Sequence, residues 1–247
     1  MSADPAKKLH ALVKRLRAKY PEASVFPAPA WEGTDPILAE FVFSLLLAES
    51  TPLLARAAFE VFKSEFVDLN ELRISLPDEV AELLGEDYPH ADERTARIRA
   101  TLHDIYQREH VMSLAALAEA GKREIRHYLE SLNGVTPFVI ARVKLLHLGG
   151  SAVPVDNTLL SRLHKEHALE NAATCESAGD WLPKQFEPGQ SASLHALFLA
   201  SAEADADSSK PFKSAKPEKN DKAEKPKSIK GKDAARPAKG TKRSKAT

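Results

Sequence analysis

The chain has 247 residues, of which 43% are hydrophobic, enough for a core in one large or two small domains, and its formal net charge is zero. That balance hides an asymmetry: from Ser208 onward fourteen basic residues face four acidic ones, a charge of +10, so residues 1–207 carry −10. A single cysteine, Cys175, excludes an intrachain disulfide framework, a four-thiolate iron–sulfur cluster and a cysteine-rich zinc site.

Met1–His10 lacks the apolar run of a signal peptide, so a soluble, intracellular protein is expected. Leu9, Leu12, Val13 and Leu16 recur at helical spacing, one stripe of an amphipathic helix that Pro21 ends. Asp35-Pro36 reads as an N-cap followed by proline at the first helical position. The segment behind it, Ile37–Ala48, is apolar nearly all round, as a buried central helix should be. It is twelve residues long and broken by Glu40, short of the about 20 apolar residues that span a bilayer. Further helices are predicted around Leu53–Phe62, around Ile98, Leu102 and Ile105, and around Leu114 and Leu117. The pattern continues at Ile125, Leu129 and Leu132, at Phe138–Leu148 before Gly149-Gly150, at Leu159–His164 and at Leu194–Ala200. No stretch alternates long enough for a sheet, so the body is expected to be all-α. Residues 206–247, rich in Lys, Ala, Pro and Ser, have too little apolar surface to offset their ordering entropy and are expected to be disordered.

The informative stretch runs from Leu129 to His164. Leu129 and Leu132 end one helix, Asn133-Gly134-Val135-Thr136-Pro137 makes a tight turn, and Phe138 opens the next helix. Gly134 suits a backbone conformation that a β-carbon disfavours, Thr136 an N-cap and Pro137 the first helical position. Free amides at such a turn form a site for an anion such as a DNA phosphate, although the same spacing also describes a connecting turn in a helical bundle. Val153-Pro154-Val155-Asp156 then precedes a helix beginning Asn157-Thr158-Leu159. Taken alone, Asp156 reads as an N-cap.

Together, the order hairpin, helix, Gly-rich loop, Pro-Val-Asp, helix resembles the signature of the helix-hairpin-helix/Gly-Pro-Asp superfamily of base-excision DNA glycosylases, in its endonuclease III-like branch. The resemblance spans about 190 residues, from the amphipathic start at Leu9–Tyr20 through Leu45-Leu46-Leu47-Ala48-Glu49-Ser50-Thr51 and Asp92–Ile105. It continues to Trp181-Leu182-Pro183 and Leu194-His195-Ala196-Leu197-Phe198. It implies one helical domain over 1–205, with a central subdomain at about 36–150 and a second subdomain made of 1–35 and 151–205. It implies Asp156 as the catalytic carboxylate, which helps activate the nucleophile and stabilises the sugar cation. It implies Gly134, Val135 and Thr136 as the DNA-binding hairpin, and a target nucleotide turned out of the stack.

The departures from the family pattern are specific. Where bifunctional members carry the Schiff-base lysine, this chain has Phe138, which cannot be a nucleophile. Lys144 lies on another face of the same helix, and Arg142, one turn below Phe138, stays protonated and forms no Schiff base. Thr136 replaces a glycine of the hairpin, Pro137 removes an amide donor, and Glu49 stands where a glutamine usually fills the gap left by the flipped base. The cluster cysteines are absent. These changes imply base excision without strand cleavage, no cofactor and no metal; a non-catalytic DNA-binding or damage-recognition protein on the same scaffold is the alternative. The expected partner is double-stranded DNA, contacted also by the Lys-rich tail, with the protein a monomer, either cytoplasmic and nucleoid-associated or nuclear. The histidines at 103, 110, 127, 147, 164 and 167 are scattered without metal-ligand spacing, Trp31 is expected in packing or at a rim, and Cys175 buried or half-buried.

Overall fold

The computed structural model describes residues 4–206. The expected disordered tail lies outside the described residues, apart from its first position. Every regular element among the described residues is helical. Helix α1, Pro5–Lys19, is capped by Asp4, which accepts from the Ala6 amide, and buries Leu9, Leu12, Val13 and Leu16. Helix α2, Pro36–Leu47, starts at Asp35, which accepts from the Ile37 amide; every residue from Ile37 to Leu47 is buried. The other Asp35 oxygen accepts from Ser113 Oγ and the Leu114 amide, tying the start of α2 to a distant loop. Then follow α3 (Pro52–Glu65), α4 (Leu69–Ile74), α5 (Pro77–Leu84), α6 (Ala91–Glu109), α7 (Lys122–Glu130), α8 (Pro137–His147), α9 (Asn157–Lys165), α10 (Cys175–Trp181) and α11 (Ser191–Asp205).

The long elements coincide with the apolar periodicities. Helices α4, α5 and α10 have six, eight and seven residues, and their apolar periodicity cannot accumulate over the longer windows in which it becomes legible. The segment holding Leu114 and Leu117, expected as a helix, forms only a short 3-10 turn at Ala115–Glu119. Leu114 and Leu117 are both buried in the core while residues 115, 116, 118 and 119 are exposed, so the turn is anchored at two points only.

Two apolar cores form. In the first, α2 packs against α3, α6 and α8, with Phe41, Phe43, Phe59 and Phe62 at its centre. Trp31 is buried in this core, edge-on to Phe59. The second gathers Leu9, Leu12, Val13 and Leu16 of α1, Val153, Val155, Leu163 and Leu182. Helix α11 serves both, sending Leu199 into the first and Leu194, Leu197 and Phe198 into the second.

Glu40, in the middle of α2, is fully buried, and a buried carboxylate persists only if it is paired. Its partner is Arg142 of α8, the bulkiest fully buried side chain, whose Nε donates to Glu40 Oε1 at 2.7 Å. Ser44 Oγ and the Ala28 amide donate to the same carboxylate, and His147 Nε2 stands 3.5 Å away. Arg142 also donates from Nη2 to the Phe26 carbonyl, and its Nη1 lies 2.7 Å from His195 Nε2 on α11. Burial alone would raise the Glu40 pKa, but His147, the Arg142 charge and the Ala28 amide hold it below the ordinary 4.5.

Candidate active site

The turn around Gly134 lies between two helices. Helices α7 and α8 are joined by residues 131–136, Thr136 is the N-cap of α8, and Pro137 is its first residue. Gly134 has φ +81°, and a β-carbon there would stand 2.7 Å from the Arg97 carbonyl oxygen and 3.0 Å from Thr101 Oγ1. Glycine is therefore demanded twice, by conformation and by the close approach of the turn to α6. Helix α6 pins the turn further. Thr101 Oγ1 donates to the Asn133 carbonyl, Arg97 Nη1 to the Gly134 carbonyl, and the Asn133 amide to Asp104 Oδ2. The carbonyls and the Asn133 amide are thus consumed, whereas the amides of Gly134, Val135 and Thr136 donate to no described residue.

Asp156 is the N-cap of α9, as its position before that helix predicts. Its Oδ1 accepts from the Leu159 amide at 2.8 Å. Its Oδ2 accepts from the Glu49 amide at 2.7 Å, a contact across 107 residues. Glu49 follows α2 with a left-handed backbone, φ +55°, an arrangement uncommon for a side chain of this size. Arg94 anchors the same end of α2, donating from Nη1 to the Leu45 and Leu46 carbonyls, and the Tyr88 hydroxyl also donates to Leu46. Two capping interactions thus meet in one carboxylate, and together they place α9 against the end of α2. Each carboxylate oxygen has a second lone pair, so two hydrogen bonds do not exhaust Asp156 as an acceptor.

A cleft opens here in two lobes of about 910 and 410 Å³. Glu49, His90, Phe138, Asp156 and Asn157 line both lobes. Thr136 and Pro137 of the hairpin line the smaller lobe; α9 and α11 wall the larger one. The carboxylate and the hairpin therefore share one groove, with Phe138 between them. The Phe138 side chain is buried, its ring 6.0 Å from that of His195. Lys144 lines neither lobe; it lines an adjoining 360 Å³ pocket that shares Pro137, Val155 and Cys175 with the smaller lobe.

Burial raises the Asp156 pKa above the ordinary 3.8, and the Glu49 charge pushes the same way, against the two backbone amides. The Glu49 carboxylate is itself held by Asn157 Nδ2, with His90 Nε2 3.6 Å away. Cys175 is half-buried at the edge of the smaller lobe, and burial, then the charges of Asp156 and Glu49, raise its thiol pKa. A carboxylate with an elevated pKa at the wall of a groove can accept a proton and can stabilise a cation forming beside it. Sequence reasoning missed Arg94, His90, Asn157 and His195. One available signal was Glu40, since a charge inside an otherwise apolar helix requires a buried cation elsewhere in the chain.

No family model matches the chain, and no curated protein matches it in sequence. Among solved structures, endonuclease III trapped as a covalent intermediate with DNA, in an estranged-adenine complex, superposes with a TM-score of 0.59 at 13% identity. That match covers 84% of this chain and 93% of the other. A thermostable thymine-DNA glycosylase superposes with a TM-score of 0.51 at 16% identity, covering 80% of this chain and 87% of the other. The described helices, in their order and packing, make up the endonuclease III-like DNA glycosylase fold.

Proposed function

We propose that the protein is a monofunctional DNA glycosylase that hydrolyses the N-glycosidic bond of a damaged or mismatched base. The observation that carries this reading is the shared groove, in which a carboxylate of elevated pKa and the hairpin's Thr136 and Pro137 line one lobe, next in the chain to the unclaimed amides of Gly134 and Val135. The Gly134, Val135 and Thr136 amides would hold a phosphate of the duplex backbone. The target nucleotide would enter the larger lobe. As the C–N bond breaks, the base leaves with the bonding electrons and positive charge develops on the sugar, facing Asp156. Water attacks the sugar carbon, and Asp156 takes its proton on a lone pair not engaged by the Leu159 or Glu49 amides. Phe138 has no amine to form a Schiff base, and Lys144 lines neither lobe of the groove, so the strand stays intact.

Duplexes carrying oxidised, alkylated or mismatched bases should acquire alkali-labile abasic sites on incubation with the protein. Asp156→Asn should abolish this while the variant stays folded by circular dichroism. Strands cut without alkali would contradict the lysine-free route.

The second reading, a damage-binding protein without turnover, is favoured by one observation: both Asp156 oxygens already serve backbone amides. On that reading no base is released from any duplex, and binding is unchanged in Asp156→Asn. In either case the basic segment from Ser208 onward would add phosphate contacts. Truncation before it removes fourteen basic and four acidic residues and should flatten the salt dependence of DNA binding.

A further inference from the structure

His195 sits at the meeting point of the buried charge network and the larger lobe of the groove. Its ring is 1% exposed, and it forms part of that lobe's wall beside Phe138, Phe198 and Leu199. Its Nε2 lies 2.7 Å from Arg142 Nη1. A guanidinium only donates, so Nε2 must be the acceptor and the ring proton must reside on Nδ1. Burial, then the Arg142 charge, lowers the ring's pKa well below 6.5, so the ring is neutral and this tautomer is the one present. No described residue accepts from Nδ1. A buried donor with no acceptor is costly and rare in native proteins, and its persistence asks for a partner that arrives from elsewhere.

We propose that His195 is a base-recognition residue, its Nδ1–H donating to a carbonyl oxygen of the base drawn into the groove. This rests on the glycosylase reading and narrows it to a substrate class, the bases that present an oxo group. An amino group at the same position would set donor against donor and be rejected. Arg142 and Glu40 act behind His195 as positioning residues, because they fix which ring nitrogen carries the proton. Nδ1 is closed over by its packed neighbours in the free protein, so engagement needs a shift in that wall, and Phe138 is the aromatic side chain standing against the ring.

The test uses duplexes whose target nucleoside is a C-glycoside, which cannot be hydrolysed, so that binding is read without turnover. 1-Methylpseudouracil is compared with its oxygen-free isostere difluorotoluene, and 9-deazahypoxanthine with 9-deazaadenine. The full-length protein should bind the oxo member of at least one pair about tenfold more tightly. His195→Gln, which retains an acceptor for Arg142, should reduce that preference to less than about twofold. Equal binding within both pairs by the wild type, when both pairs are bound better than an unmodified duplex, overturns the role of His195 and leaves the glycosylase reading standing. Binding of no modified duplex above the unmodified one overturns both. Nitrogen-15 NMR of the ring gives a readout that needs no variant. A protonated Nδ1 and bare Nε2 are expected, and the opposite tautomer or an imidazolium at neutral pH overturns the proposal.

Discussion

Asp156 joins two tasks in one side chain, and its environment makes them separable. Its pKa is raised by burial and by Glu49, and only the ionised form can take a proton from water. The acid limb of the pH–rate profile for excision should therefore fall above 3.8, the ordinary value for an aspartate, and Glu49→Gln should shift it down. On stability the sign is opposite. A carboxyl that binds its proton more tightly when folded favours the folded state at low pH, and that contribution is lost as pH rises from 3.8 through the raised value. His195 works the other way. Its folded pKa is depressed, so the unfolded chain takes up a proton that the folded chain refuses, and stability falls as pH drops below 6.5. Thermal unfolding midpoints measured from pH 7 to pH 5 should decline less steeply in His195→Gln than in the wild type. Equal slopes would mean that the ring titrates normally in the fold.

The hairpin is an element whose sequence is explained by its neighbour as much as by its own conformation. Gly134→Ala meets both a positive φ and the Arg97 carbonyl at 2.7 Å, and it should cost about 1–3 kcal/mol in denaturant unfolding. The same substitution should weaken duplex binding, because relief of the clash moves the turn off α6 and with it the three free amides. Thr136→Ala removes an N-cap whose hydrogen bond to the Val139 amide is long, 3.4 Å, and should cost no more than about 1 kcal/mol. If Thr136→Ala impaired DNA binding more than Gly134→Ala did, the hydroxyl rather than the backbone would be the phosphate ligand. Where the two lobes meet, the left-handed Glu49 shows how one element is held by another. The turn after α2 is stabilised by an acceptor from the cap of α9, so neither end is complete by itself.

Across the molecule, the two apolar cores meet where the groove lies, and α11 contributes to both. The Glu40–Arg142–His195 network runs through this junction, connecting α2, α8 and α11. Breaking it on one side leaves a full charge buried without its partner. Glu40→Gln should therefore cost about 3–5 kcal/mol of unfolding free energy, far more than loss of an exposed ion pair such as Arg97–Glu93. Comparable losses for Glu40→Gln and Glu93→Gln would show that water reaches the network. Because the network also fixes the His195 tautomer, Glu40→Gln should disturb recognition in the groove at positions it does not touch.

What the linear chain determined by itself is whatever physical chemistry acts over a few residues. Apolar stripes marked α1, α2, α3, α6, α8 and α11, Asp35-Pro36 and Thr136-Pro137 marked helix starts, and the turn around Gly134 was legible from residue type. The order of those elements, with Asp156 directly before α9, was enough to suggest the fold. The tertiary structure alone decided which distant groups meet. Asp156 accepts from an amide 107 residues away, Glu40 pairs with Arg142 across 102 residues, and Arg142 reaches His195 across another 53. Periodicity reports which face of a helix is buried but not what lies against it, and a buried polar atom's partner depends on the packing of several helices at once.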